Sequence, residues 1–241
     1  MAEKDYDVMS LAAYLHLTPQ KVERLANREK LPGRKVGGKW VFSDVDIHWW
    51  LENEIGLADT PEDIDRLEGV LNRNEEYSEI APEEMTIGAL LQPSAIACPL
   101  LAKTRTSIID AMVHLGMQTG LLWDEKKLAQ AVRRREELHT TAFENGVALL
   151  HARRPMPGIL GGPFLTLGKL YSPVPFGSGV PATDIFFLVA SFEDSGHLKT
   201  LAKISRIIST PGVLTDLRDA ETAMDMWNVL VTCERTLYGE G

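Results

Sequence analysis

Apolar positions along the 241-residue chain change their period several times, and each change marks an element. Near the start, Leu11, Ala12 and Leu15 share one face of a short helix that Ser10 can cap. A turn at His16 and Leu17 follows. Thr18 and Pro19 then form the N-cap and first position of a second helix with Val22, Leu25 and Ala26 inside, while Gln20, Lys21, Arg24, Asn27 and Arg28 point elsewhere. Two β-prone runs, Arg34-Lys35-Val36 and Lys39-Trp40-Val41-Phe42, flank Gly37-Gly38, a pair able to supply the positive φ of a hairpin turn. A third helix, capped by Ser43 with Asp46 three residues on, carries Val45, Trp49, Trp50 and Leu51, and both tryptophans are expected in the small core.

Beyond residue 85 the segments are longer. Ile108, Ile109, Ala111, Met112 and Leu115 define a helix over 107–117, and Leu128, Ala131, Val132 and Leu138 another over 124–138. The run Val147-Ala148-Leu149-Leu150, ending at His151, and the stretch 183–191 are too apolar on both faces for solvent-facing strands, so both are expected as covered strands. Helices resume over 197–208 and 220–231. Residues 158–179 are expected as a loop and strand, with Phe164, Leu165, Leu167 and Leu170 either packed inside or forming an apolar docking surface. Helices interleaved with buried strands indicate an α/β sandwich, preceded by a small winged helix-turn-helix.

Charge divides the chain further. The net −9 argues against indiscriminate nucleic-acid binding. Residues 1–55 hold 8 Lys/Arg against 9 Asp/Glu, residues 56–85 hold 2 against 10, and residues 86–241 hold 15 of each. The acidity is concentrated in the middle, so residues 56–84 read as a linker between domains at 1–55 and 85–241. A short helix at Ile64, Leu67, Val70 and Leu71, packed on a neighbour, is the alternative for that stretch. Within the first domain, residues 16–41 carry seven Lys/Arg against Glu23 and Glu29, a basic patch of net +5. No run of eighteen apolar residues occurs and the opening MAEKDYD lacks a signal-peptide core, so a cytoplasmic protein without membrane insertion is expected. Cys98 and Cys233 stand alone and are expected as buried hydrophobes. His16, His48, His114 and His139 lack metal spacing, no metal or cofactor is expected, and no phosphate-loop, dinucleotide, nucleophile-elbow or zincin motif occurs.

The run SLAAYLHLTPQKVERLANREKLPGRKVGGKWVFSDVDIHWWLEN resembles the excisionase/MerR-like DNA-binding domain. That resemblance implies a second helix in the major groove and a wing against the backbone, with Gln20, Lys21, Arg24, Arg28, Arg34, Lys35 and Lys39 touching DNA. A domain merely solvated by these charges, or one that binds protein, is the competing reading. A single small module binds weakly, so a homo-oligomer is expected.

In the second domain, His151 ends a buried strand beside Arg153 and Arg154, with Arg133, Arg134 and Arg135 upstream, and His197 opens a helix after Glu193-Asp194-Ser195-Gly196. Arginines near a histidine, and the free N–H groups of a helix start, both favour an anionic group. The stretch from Arg135-Glu136 through Thr140-Thr141 to Gly146-Val147-Ala148-Leu149-Leu150-His151-Ala152-Arg153, with the later Gly196-His197-Leu198, Leu201 and Ala202, resembles the enzyme IIA of the fructose, mannitol and nitrogen-regulatory type of the bacterial phosphotransferase system. Leu150 stands where that family usually has proline. The resemblance implies a mixed-sheet α/β sandwich of enzyme IIA type 2, with His151 as phosphoryl acceptor, His197 as its neighbour, and Arg135 with Thr140 or Thr141 as polar support. It further implies an HPr-like phosphocarrier as donor, a IIB-type acceptor or regulated protein downstream, and no bound cofactor. Together the domains suggest a phosphotransferase-linked regulator. The alternatives are a plain phosphocarrier with an accessory protein-binding domain, and an inactive IIA fold used for oligomerisation.

Overall fold

Local capping decides where the first helices begin, and it moves one of them. Asp7, not Ser10, is the N-cap of α1 (Val8–Tyr14): its carboxylate accepts from Ser10 N at 2.7 Å, while Ser10 Oγ accepts from Asp7 N at 2.9 Å. Ser10 is therefore the far half of a capping box, and its backbone N–H and hydroxyl hold the Asp7 carboxyl below the usual carboxylate range. The structure, a computed structural model, describes residues 5–56, 67–69, 71, 85–177 and 179–239. The chain divides into two compact units, Met1–Tyr77 and Ser78–Gly241.

In the first unit Thr18 caps α2 (Pro19–Asn27) as expected, its Oγ1 accepting from Lys21 N at 3.3 Å. Strands β2 (Arg34–Val36) and β3 (Lys39–Ser43) form the wing hairpin, and β1 (Asp5–Tyr6) pairs with the other edge of β3. The wing turn needs left-handed backbone at two successive residues, which Gly37 (φ 57°) and Gly38 (φ 79°) supply. Helix α3 (Asp44–Gly56) follows Ser43 directly. The tryptophan expectation is corrected here. Ile47, Leu51 and Ile55, at i, i+4 and i+8, form the buried stripe with Phe42, Leu11, Leu15 and Val22, whereas Trp49 is 37% exposed. Trp50 lies at the rim, its indole N–H donating to Lys30 O at 2.8 Å, since an indole needs a polar partner that a small apolar core lacks. Of the acidic segment, Leu67, Glu68, Gly69 and Leu71 are helical with both leucines buried, while Ile64, Val70 and the rest of the expected linker lie outside the described residues.

The second unit starts at a short helix α4 (Ile87–Leu90) and builds a mixed sheet of four strands in the order β4-β6-β7-β5. These are β4 (Ile96–Ala97), β5 (Val147–His151), β6 (Phe164–Val174) and β7 (Thr183–Ala190). The central pair β6 and β7 is antiparallel, and each outer strand runs parallel to its neighbour. Helices α5 (Arg105–Met117) and α6 (Glu125–Leu138) cover one face, meeting Ala148, Leu150, Phe186, Leu188 and Ala190. Alternation turns the odd-numbered residues of β5 and β7 to the other face. There α7 (Asp194–Ile208) packs on β7, followed by α8 (Val213–Asp219) and α9 (Ala223–Tyr238). Phe164, Leu165, Leu167 and Leu170 are at most 5% exposed, so they are core and not a docking surface. Cys98 and Cys233 are free thiols and only half-buried, contrary to expectation; Cys98 sits where its S–H donates to Ala220 O at 3.5 Å. Among the described residues no helix is long and apolar enough to cross a membrane.

One clamp fixes the start of the sheet. Arg218 on α8 donates from Nε and Nη2 to the two Asp184 oxygens at 2.8 and 2.9 Å, and from Nη2 to Asn145 O at 2.7 Å. The bond to Asp184 raises the Arg218 guanidinium above its ordinary value. Gly146, at φ 85°, turns the chain tightly beneath this guanidinium into β5.

Helix α5 approaches β6 closely at Gly116, where an added Cβ would lie 2.8 Å from Cε2 of the buried Phe164 ring. Gly116→Ala is therefore expected to destabilise the second unit by about 1–3 kcal/mol despite alanine's better helix propensity. Urea unfolding followed by circular dichroism checks this, and an unchanged or raised midpoint would contradict the packing argument.

Candidate functional site

Strand alternation places His151 on the same face as Val147 and Leu149, the face on which α7 lies. Leu150 points the opposite way, is fully buried against α5 and α6, and registers with Leu188 of β7. The position before the histidine is thus held by packing and register without a proline. His151 and His197 are 4% and 2% exposed, and their ring centroids are 5.0 Å apart at an interplanar angle of 57°. The pair that the sequence could only juxtapose in order is adjacent in space.

The two nitrogens of His151 have different surroundings. Nδ1 is 2.7 Å from the carbonyl oxygen of Leu149, an acceptor only, so Nδ1 carries the proton. Nε2 is then an acceptor, and Arg135 Nε donates to it at 3.2 Å. Arg135, itself 4% exposed at the last turn of α6, is steadied by a second bond from Nη1 to His139 O at 3.0 Å. His197 is oriented by Ser191, whose Oγ is 2.8 Å from its Nδ1. A small cleft lined by Ala152, Arg154, Met156, Ser191 and His197 lies beside the second imidazole.

The other arginines go elsewhere. Arg133 pairs with Asp110, and Arg154 lies 3.8 Å from Asp194, leaving Arg135 as the member of the upstream triplet that reaches the imidazole. The two threonines also stand apart from the histidine ring. Thr140 Oγ1 accepts from Ala142 N at 3.2 Å and sits against Gly177, where an added Cβ would collide with it. Thr141 is bound to Glu136, its Oγ1 donating at 2.6 Å. Sequence reasoning passed over three contributors: the Leu149 carbonyl, Ser191, and the 2% exposed Glu136, which pairs with Arg105 at 3.2 Å. Glu136 stood inside the quoted motif beside Arg135, and Ser191 closed the apolar strand run, so both were visible but carried no sign of what they face.

The expected DNA-contact residues lie along α2, at its C-cap and on the two wing strands of the first unit. Gln20, Arg24, Arg28, Lys35 and Lys39 are exposed and Lys21 is half-buried. Gln20, Arg24 and Arg28 share a helical stripe at i, i+4 and i+8. Arg34 is tied to Asp5 at 3.0 Å, and Lys35 Nζ sits 4.9 Å over the Trp40 ring. His48 and Glu52 form an i, i+4 pair at 3.7 Å on α3.

Comparison with known proteins follows the same division. Residues 89–232 match the family described as "Phosphoenolpyruvate-dependent sugar phosphotransferase system, EIIA 2", and residues 6–54 match a helix-turn-helix domain. A nitrogen regulatory protein of Bradyrhizobium diazoefficiens is 30% identical over 151 residues, 61% of this chain and 95% of the relative. The fructose-specific EIIABC component of Bacillus subtilis is 27% identical over 57% of this chain, which spans 22% of that longer protein. Among solved structures, nitrogen regulatory protein IIA-Ntr from Neisseria meningitidis superposes with a TM-score of 0.54 at 19% identity, covering 60% of this chain and 98% of its own. The mannitol IIA protein of Escherichia coli gives 0.52 at 15%, covering 58% and 97%. At these identities the solved structures share the fold.

Removing the hydroxyl that orients His197 tests this geometry. Ser191→Ala is expected to lower stability by about 1–3 kcal/mol, the cost of taking a partner from a buried imidazole nitrogen. A change below about 0.5 kcal/mol in denaturant unfolding would show that the 2.8 Å contact does not hold the ring.

Proposed function

This chain belongs to the EIIA 2 family of the phosphoenolpyruvate-dependent sugar phosphotransferase system, and on that premise we propose a regulator in which His151 is phosphorylated and a helix-turn-helix unit binds DNA. The observation that carries the reading is the division of labour on one ring: Nδ1 is committed to Leu149 O, and Nε2 faces Arg135 with His197 alongside. An HPr-type phosphocarrier is the donor. The Nε2 lone pair attacks phosphorus in line, the N–P bond forms as the bond from phosphorus to the donor breaks, and the proton stays on Nδ1. Arg135 transfers its Nε–H from Nε2 to an equatorial oxygen of the incoming group, tethered meanwhile by its bond to His139 O. His197 and Arg135 supply preorganised donors for the developing charge, which is the protein's main contribution to phosphoryl transfer. Thr140 and Thr141 act behind the ring.

In the first unit, the exposed stripe of α2 carries Gln20, Arg24 and Arg28 into the major groove, while Lys35 and Lys39 on the wing meet the phosphate backbone. Arg34 contributes less, being bonded to Asp5. Two copies of the chain occupy two half-sites on the DNA, since so small a module binds weakly by itself. A phosphoryl group at His151 adds negative charge and acceptor oxygens, and so changes how the chain meets DNA or a partner. A second reading has support in one observation: mannitol enzyme IIA of this fold, with a TM-score of 0.51 at 15% identity, was solved in complex with phosphorylated IIB. On that reading the chain passes its phosphoryl group to a IIB-type acceptor.

Incubation with phosphoenolpyruvate, enzyme I and an HPr-type carrier is expected to add one acid-labile phosphoryl group by intact mass, and His151→Ala to abolish it. Uptake that survives His151→Ala, or none in the native chain, overturns the acceptor assignment.

Duplex-DNA binding is expected to weaken steeply with salt, and Lys35→Ala and Lys39→Ala each to reduce the slope of log affinity against log salt by about 1. Titrations at several salt concentrations check this. Slopes unchanged in both variants would remove the wing from the interface.

A further inference from the structure

We infer that Glu136 is a positioning residue that decides which nitrogen of His151 reacts, a role that rests on the reading of His151 as phosphoryl acceptor. The argument begins at the free edge of β5, the edge not paired with β7. Ala142 and Ala148 form an antiparallel bridge there, flanked by Phe143 N donating to Val147 O at 2.8 Å and Leu149 N donating to Thr141 O at 3.1 Å. Thr141 and Leu149 are thus a directly opposed pair of the kind that ordinarily exchanges two backbone hydrogen bonds.

Half of that exchange is made. The reciprocal donor, Thr141 N, is instead 3.1 Å from each oxygen of the Glu136 carboxylate, which also accepts from Thr141 Oγ1 at 2.6 Å. A carboxylate is the stronger acceptor, and Arg105 pairs with it at 3.2 Å in a buried place. Glu136 therefore draws the Thr141 N–H out of the ladder. The Leu149 carbonyl, relieved of its backbone donor, takes the His151 Nδ1 proton at 2.7 Å. That bond makes Nε2 the lone-pair nitrogen and aims it at Arg135. Arg105, Glu136, Thr141 and Leu149 form one line of contacts ending at the imidazole, and none but Leu149 touches it.

Without the carboxylate, Thr141 N–H returns to Leu149 O and competes with Nδ1–H. Glu136→Gln is the test, made on the full chain with 15N-labelled histidine. Long-range proton–nitrogen correlation is expected to show His151 in the Nδ1–H form in the native chain and in mixed tautomers in Glu136→Gln. Phosphoryl uptake from the HPr-type carrier is expected to fall roughly a hundredfold, the scale of a small misplacement of reacting atoms, with phosphorus NMR revealing some Nδ1-phosphohistidine. Glu137→Gln, at the exposed neighbouring position, should match the native chain in both readouts. A folded Glu136→Gln protein that keeps the native tautomer overturns the inference. Should that variant not fold, Arg105→Met at a half-exposed side chain removes the ion pair together with the bond from Arg105 to Glu136 O and the contact over the Phe176 ring, and an unchanged tautomer there also overturns the inference. If the native chain takes up no phosphoryl group, the tautomer result still judges Glu136, and the acceptor assignment fails by itself.

Discussion

An imidazole acts as a nucleophile through one nitrogen only when the other keeps the proton, and here that separation rests on a single 2.7 Å bond from His151 Nδ1 to the Leu149 carbonyl. Much of the second unit serves to make this bond. The sheet register puts residues 149 and 151 on one face, and α7 brings the His197 ring centroid to 5.0 Å from that of His151. The last turn of α6 sends Arg135 to Nε2 while the next residue, Glu136, works on the backbone behind the strand. Two adjacent residues on one helix thus act on opposite ends of the same ring, one directly and one through the chain.

Much of this was legible in the sequence. The buried runs around residues 147–150 and 183–190 announced covered strands because both faces are apolar, and the helices began within a few residues of their expected starts. The His151, His197 and Arg135 constellation was readable through the resemblance of its motifs to the enzyme IIA family, while the residues alone offered two histidines and a run of arginines. The resemblance implied Thr140 and Thr141 as polar support; that Thr141 bonds to the Glu136 carboxylate and Thr140 accepts from Ala142 N was not legible, since a hydroxyl takes whichever partner the fold brings to it. What stayed hidden depends on unmade ladder bonds: that Leu149 offers its carbonyl follows only from where Thr141 points its N–H.

The first unit shows the same limit on a smaller scale. Thr18-Pro19 and Gly37-Gly38 were decisive because cap and turn chemistry is local. Ser10 was misread as a cap because Asp7 offers the same chemistry three residues earlier, and the pair is reciprocal. Trp49 and Trp50 were misplaced because hydrophobic size suggests burial, whereas a core this small is filled by Ile47, Leu51 and Ile55. The basic side chains are exposed or half-buried but unequally available: Arg34 is engaged by Asp5, and Lys35 rests on Trp40.

The Arg218 clamp on Asp184 and Asn145 lies at the opposite end of β5 from His151, yet it bears on which residue the strand presents to α7 and His197. A strand that slid by a single residue would exchange its two faces, turning the histidine toward α5 and α6 and Leu150 toward α7. Pinning the strand where it starts works as proofreading: with β5 one notch out, the guanidinium would keep Asp184 on β7 but lose the Asn145 carbonyl, so the misregistered fold forfeits a charge-assisted bond that the native one makes.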